Sequence, residues 1–163
     1  VQNVSRNIVS HHNGGGMVVL AKDDDVDAIA PFMRKPDKLE VSCMGHTPEE
    51  ALRSGLKNDD ATFTVLCPEG VPIAMFGSGR IAGQAYIWLL GTDALLDNAY
   101  AFIKASRPWV HLLTAPYKTV VNYVHEDNEL AIKWLRFCGA KFIRKLEFSN
   151  QPFYEFIIIS NNV

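Results

Sequence analysis

The sequence is poor in cysteine, has no excess of charge of either sign and contains no long apolar run. Cys43, Cys67 and Cys138 are odd in number and far apart, which excludes a compact disulfide framework and any Cys-x-x-Cys metal site. That usage fits a reducing compartment, with the thiols packed as small apolar residues. A formal net charge of -2 gives no electrostatic reason to expect a nucleic-acid or anionic-membrane partner. Lys141, Arg144 and Lys145 alternate with Phe142 and Leu146, the pattern of one solvated strand face. No stretch reaches membrane-spanning length, and the opening residues lack the basic-then-apolar layout of a signal peptide. Gly77-Ser78-Gly79 has no third glycine and no helix at the spacing of a dinucleotide fingerprint, so it reads as a flexible break. What is present is 163 residues with 48% hydrophobic content, enough for one domain with a substantial core.

Residues 1–16 differ from the rest, being rich in Asn, Ser, His and Gly and closing on Gly14-Gly15-Gly16 before Met17. Such a segment cannot bury enough surface to fold alone. A flexible arm is expected, either one that orders on a partner or sequence upstream of a start at Met17. His11-His12 offers two ligands without a third, so no metal site is expected there. Residues 17–163 read as a single domain. Residues 17–21 form a short strand, and Asp23, Asp24 and Asp25 supply caps and first-turn acids for a helix through Val26, Ile29 and Met33. Helix capping explains that acidic cluster more simply than a metal does. Pro36 ends the helix or begins the loop after it, and residues 37–46 carry no clear signal.

Thr47-Pro48-Glu49-Glu50 combines a capping box with proline at the first helical position; its helix runs through Leu52 and weakens at Gly55. Strands follow at 62–66 and 71–77 around a Pro68-Glu69-Gly70 turn. The next, at 85–90, is apolar on both faces and therefore central. A helix carrying Leu95, Phe102 and Ile103 is interrupted at Pro108, where a further short helix begins. His46 and His111 read as structural histidines, and Trp109 and Phe153 as core or interface residues.

The best-formed unit lies at 119–142. Val120, Val121, Tyr123 and Val124 have the density of a largely buried strand. His125-Glu126-Asp127-Asn128 breaks the run and offers two good N-caps. Leu130, Ala131, Trp134, Leu135 and Cys138 fall on one helical face, and Gly139 follows as a C-cap. Strands at 141–148 and 153–159 complete the order β-α-α-β-β-β-α-β-α-β-β.

That order resembles the GNAT (N-acetyltransferase) superfamily, and Val124, Asn128-Glu129-Leu130-Ala131, Leu135 and Gly139-Ala140-Lys141-Phe142 resemble its later motif. The resemblance implies an α/β (α+β) fold with a mixed, mostly antiparallel sheet of about six to seven strands flanked by helices. More narrowly, residues 70–77 and 87–92, with Asn122-Tyr123-Val124 and Ile132-Lys133-Trp134-Leu135, resemble internal virion protein A of short-tailed phages. This implies a virion or assembly protein acting by protein-protein contact in the particle or the host cytoplasm, with other phage proteins as partners and no cofactor.

The alternative is an N-acyltransferase using acetyl-CoA, and two departures from the family pattern weigh against it. The family's Gln/Arg-x-x-Gly-x-Gly/Ala loop cradles a pyrophosphate on backbone amides. Here it reads Gly91-Thr92-Asp93-Ala94-Leu95-Leu96-Asp97, with one glycine, no basic residue and two carboxylates. The family's proton-donating Tyr aligns with Leu135, which can donate nothing. If the alternative holds, Tyr123, His125 and Glu126 are the candidate catalytic residues, with packing or solvation as their plain roles. Leu90, Gly91, Thr92, Asn128 and Ala131 are then the candidate cofactor contacts.

Overall fold

The computed structural model describes residues 8–11 and 16–163. Strand β1, Ile8–His11, falls within the expected arm and pairs antiparallel with β2, Met17–Leu20. The rest of the arm lies outside the described residues. Helix α1, Asp23–Ile29, starts as read from its acids: the Lys22 amide donates to Asp25 Oδ2 at 3.0 Å.

Pro36 does not end a helix. It sits in the first turn of α2, Lys35–Cys43, where its missing N–H would have had no helical partner. The stretch without a clear signal is therefore largely helical. Helix α3, Pro48–Asn58, begins with the expected capping box: Thr47 Oγ1 accepts from the Glu50 amide at 3.2 Å, and Glu50 accepts from the Thr47 amide at 3.0 Å.

Strands β3, Ala61–Leu66, β4, Pro72–Ile81, and β5, Gln84–Gly91, extend the sheet in the order β1-β2-β3-β4-β5. After a short helix α4, Ala94–Asp97, helix α5 runs unbroken over Ala99–Thr114 with Pro108 inside it. The expected interruption is absent because burial of Ser106, Val110 and Leu113 along one face holds the segment together despite the proline's cost of about 3 kcal/mol. Strand β6, Thr119–His125, helix α6, Glu129–Phe137, and strands β7, Lys141–Phe148, and β8, Gln151–Ile159, follow. The second sheet has the order β6-β8-β7, and every strand pairing in both sheets is antiparallel.

Helices pack on both faces. On one, Val26, Ile29, Met33, Val41 and Leu52 of the α1–α3 region meet Met75 and Leu90. On the other, Val110, Leu113, Ile132 and Leu135 of α5 and α6 meet Phe76 and Ile87. Each fully buried aliphatic side chain contributes about 1.5–3 kcal/mol, so these layers fix where the two sheets lie. Phe153 is fully buried, and Trp109 packs on Phe63 and Phe76 with ring centroids 5.2 and 5.7 Å away. Both are core residues.

Candidate active site

The sheets meet at β5 and β6, but no ladder joins these strands among the described residues. One side-chain bond replaces it: Asn122 Nδ2 donates to the Ile87 carbonyl at 2.7 Å. Beyond that vertex the strands part, and α2 spans the gap. Asp37 Oδ2 accepts from the Gly91 amide at 2.9 Å, and Glu40 Oε1 accepts from the His125 amide at 2.9 Å. Backbone groups along a strand alternate in direction. Since the Ile87 carbonyl bonds to Asn122 of β6 and the Gly91 amide to Asp37 of α2, both away from β4, the N–H and C=O of Leu89 face the opening between them, where no strand pairs with them.

A cavity of about 520 Å³ passes through this opening, within the usual range for small-molecule sites. Its two sides differ because β5 side chains alternate. Leu89, with Ala99, Phe102 and Ile103 of α5 and Ala131, Trp134 and Leu135 of α6, makes one side almost wholly apolar. Trp134 Nε1 is buried there without a hydrogen-bond partner, and no other buried side-chain N or O among the described residues is so placed. Such an orphan donor costs about 1–3 kcal/mol.

The other side carries Tyr86, Trp88, Asp59, Asp37 and Glu40. Asp59 accepts from the Tyr86 hydroxyl and from Trp88 Nε1, so both its oxygens are oriented. Gly77 and Gly79 make room for this group. A Cβ on Gly77 would lie 2.6 Å from the Ala61 carbonyl and 3.1 Å from Asp59 Oδ2; one on Gly79 would lie 2.8 Å from Asp59 Oδ1. They are strand residues covered by side chains, not a flexible break. Burial raises the Asp59 carboxyl above the usual carboxylate range, against the lowering effect of its two donors.

Glu40 is more strongly perturbed. Burial pushes its carboxyl up to about 7, although Asn128 Nδ2 at 2.9 Å and the His125 amide both stabilise the charged form. Asp37 is also raised by burial, opposed first by Arg34, whose Nη1 lies 3.3 Å from Asp37 Oδ1. Arg34 reaches Asn128 Oδ1 at 3.4 Å, and that oxygen also caps α6 through the Ala131 amide at 3.4 Å. Arg34, Asp37, Glu40 and Asn128 thus form one network between α2 and both strand ends.

The residues picked from sequence are only partly gathered here. Tyr123, Leu90, Asn128 and Ala131 line the cavity. Gly91 and Thr92 do not: the Gly91 amide is held by Asp37, and the Thr92 amide donates to the Ile73 carbonyl at 2.8 Å. Also outside it, His125 is buried, its Nε2 2.9 Å from Gln151 Oε1 and its Nδ1 accepting from the Asp127 amide. Glu126 pairs with Lys145 at 2.8 Å on the outer surface. Sequence reasoning missed Glu40, Asp59 and Trp134. The only available signal was the aromatic alternation of Tyr86 and Trp88 beside strand glycines.

No protein-family model matches the sequence, and no curated protein matches it. Solved structures do. A GNAT-family acetyltransferase from Bacillus anthracis superposes with a TM-score of 0.68 at 13% identity, over 94% of this chain and 99% of that one. The chain has the GNAT fold. Ribosomal-protein-S5-alanine acetyltransferase from Vibrio fischeri gives 0.66 at 14%, over 94% and 98%. Spermidine N-acetyltransferase from Vibrio cholerae, in complex with CoA and spermine, gives 0.63 at 14%, over 92% and 98%. These matches overturn the reading as a phage virion or assembly protein acting by contact alone. They are to acetyltransferases over nearly their whole length, and nothing in them points to a virion. The expectation of no cofactor has no support either, since one neighbour is in complex with CoA. No helix among the described residues is long and apolar enough to cross a membrane.

The parts of CoA fit this cleft unequally. The apolar side, with the Leu89 backbone at its edge, suits the amide-bearing pantetheine arm. The Gly91 and Thr92 amides are engaged and the loop that follows bears Asp93 and Asp97, so these groups offer a diphosphate no donors.

Proposed function

We propose that this protein is an N-acyltransferase that moves a short acyl group from a thioester to a primary amine within the β5/β6 cleft. One observation carries the reading: a cavity between two strands that do not pair with each other, apolar on one side and acidic on the other. A thioester suits the first side and a cationic amine the second.

The roles follow from the chemistry. Asp59, oriented by Tyr86 and Trp88, holds the ammonium, with Trp88 as an aromatic face for the cation. Glu40 takes one proton from it, since a carboxyl near 7 accepts protons at neutral pH far better than an ordinary one. The free amine attacks the carbonyl carbon, and the Leu89 N–H stabilises the charge that develops on the oxygen. The C–S bond then breaks as the amide forms. The nitrogen's remaining extra proton passes to the departing thiolate through water, because the buried Leu135 offers no acid.

Mass spectrometry of a panel of mono- and polyamines incubated with acetyl thioesters tests this. Enzyme-dependent gain of one acetyl group on an amine supports it, and no acylated product across the panel contradicts it.

A further inference from the structure

The acidic side of the cleft sets how much positive charge an acceptor can bring. Among the described residues that line the cavity, those bearing a carboxylate or a fixed cation are Arg34, Asp37, Glu40 and Asp59. Asp37 is balanced by Arg34 at 3.3 Å, and its other oxygen holds the Gly91 amide. Glu40 gives up its charge with the proton it takes in the reaction. Asp59 is different. Its oxygens are held by neutral donors, Tyr86 and Trp88, and no cation pairs with it among the described residues. Glu50 and Asp60, beside His46 and Asp59, do not line the cavity and are engaged, one in the α3 capping box and the other with the Tyr117 hydroxyl. One carboxylate is therefore left for one ammonium.

Outward from Asp59 the walls turn apolar. Antiparallel pairing sets Gly77 opposite Trp88, Gly79 opposite Tyr86 and Ile81 opposite Gln84, so all six share one face of the β4–β5 hairpin. Asp59 lies over the two glycines, and Ile81 is the next residue of β4 on that face. Ile81 is 69% exposed yet lines the cavity, as does Met44, 37% exposed, at the end of α2. With Gln84 and His46 they make an outer rim that carries no carboxylate. A second ammonium on the acceptor would lose water against this rim without meeting a counter-charge. A hydrocarbon body would cover the same side chains and gain by taking them out of water.

We infer that the acceptor is a primary monoamine with an apolar body: Asp59 and Trp88 hold its ammonium, Ile81 and Met44 cover its body, and those two side chains select against a second charge. The inference rests on the acyltransferase reading above.

Hexylamine and hexamethylenediamine test it, since they share a carbon chain and differ by one terminal ammonium. With the full chain and acetyl-CoA as donor, kcat/KM for hexylamine should exceed that for the diamine by about fivefold or more, the low end of what an uncompensated polar group costs. Ile81→Asp supplies the missing carboxylate and should raise the diamine relative to hexylamine by about threefold or more, as an exposed ion pair does. Asp59→Asn should raise KM for hexylamine by about 10- to 100-fold with less change in kcat, the worth of a hydrogen bond to a charged group.

A diamine kcat/KM within about fivefold of hexylamine's, or above it, overturns the inference and leaves the acyltransferase reading standing. An unmoved ratio in Ile81→Asp overturns the selecting role of Ile81, and an unmoved KM in Asp59→Asn overturns that of Asp59. Acylation of neither amine overturns the inference; absence of product across the wider panel overturns the acyltransferase reading as well.

Discussion

Asp37 and Glu40, three residues apart on α2, hold the ends of two different strands: Asp37 accepts from the Gly91 amide and Glu40 from the His125 amide, each at 2.9 Å. Two carboxylates on one helical face thus close the wide end of the cleft that Asn122 opens at the other. The cost is burial of two acids, met by the charge of Arg34 and the amide of Asn128.

Asp37→Ala removes the partner of a buried guanidinium and the acceptor of a buried amide together. The variant is expected to lose about 3–5 kcal/mol of stability, as broken buried ion pairs do. Urea denaturation measures this, and a loss below about 1 kcal/mol would show that the network does not hold α2 in place.

The Glu40 carboxyl has a definite pH signature. Its folded value of about 7 lies above the ordinary 4.5, so the folded state binds the proton more tightly than the unfolded one. Its contribution to stability is fully present below about 4.5 and is lost as pH rises through 7, by at most about 3 kcal/mol. Asp37 is raised too, so wild type alone cannot separate them; Glu40→Gln can, because the amide does not titrate. The difference in unfolding free energy between Glu40→Gln and wild type should grow in the variant's favour between pH 5 and 8. A pH-independent difference would contradict the assignment.

Gly77 is where β4 passes beneath Asp59 and Trp88. Gly77→Ala forces a Cβ against the Ala61 carbonyl, and overpacking of this kind costs about 1–3 kcal/mol. Chemical denaturation with tryptophan fluorescence should show both the loss and a changed Trp88 environment. A variant as stable as wild type, with unchanged emission, would mean the close approach is not real.

The fold was largely legible in the sequence because its cues are local. The Thr47–Glu50 capping box, the alternation in β5 and the Asn128 and Gly139 punctuation of α6 each state their own conformation. The prolines misled because sequence gives their chemistry but not their context: Pro36 opens α2, and Pro108 is carried inside α5 by the burial of Val110 and Leu113. The site was mostly illegible for a different reason. Its residues come from helices and strands far apart in the chain, Glu40 meeting His125 and Asn128, and Asp59 meeting Tyr86 and Trp88. His125 and Glu126 drew notice as polar residues in a turn, yet one is packed beside Gln151 and the other faces solvent with Lys145. The Gly91–Asp97 loop and Leu135 stood out as departures from the family pattern. What they did not reveal is that the cleft itself is open and lined for a ligand.

The most direct measurement is the pH dependence of kcat/KM for acylation of the best amine, in wild type and in Glu40→Gln. The expected wild-type rate rises with pH through about 7 and then levels, as Glu40 becomes the free base. In Glu40→Gln the rate should fall by about 10²- to 10⁴-fold and that rise should vanish. A Glu40→Gln variant that keeps both the wild-type rate and its pH profile, or a wild-type protein that acylates no amine at any pH, would contradict the account.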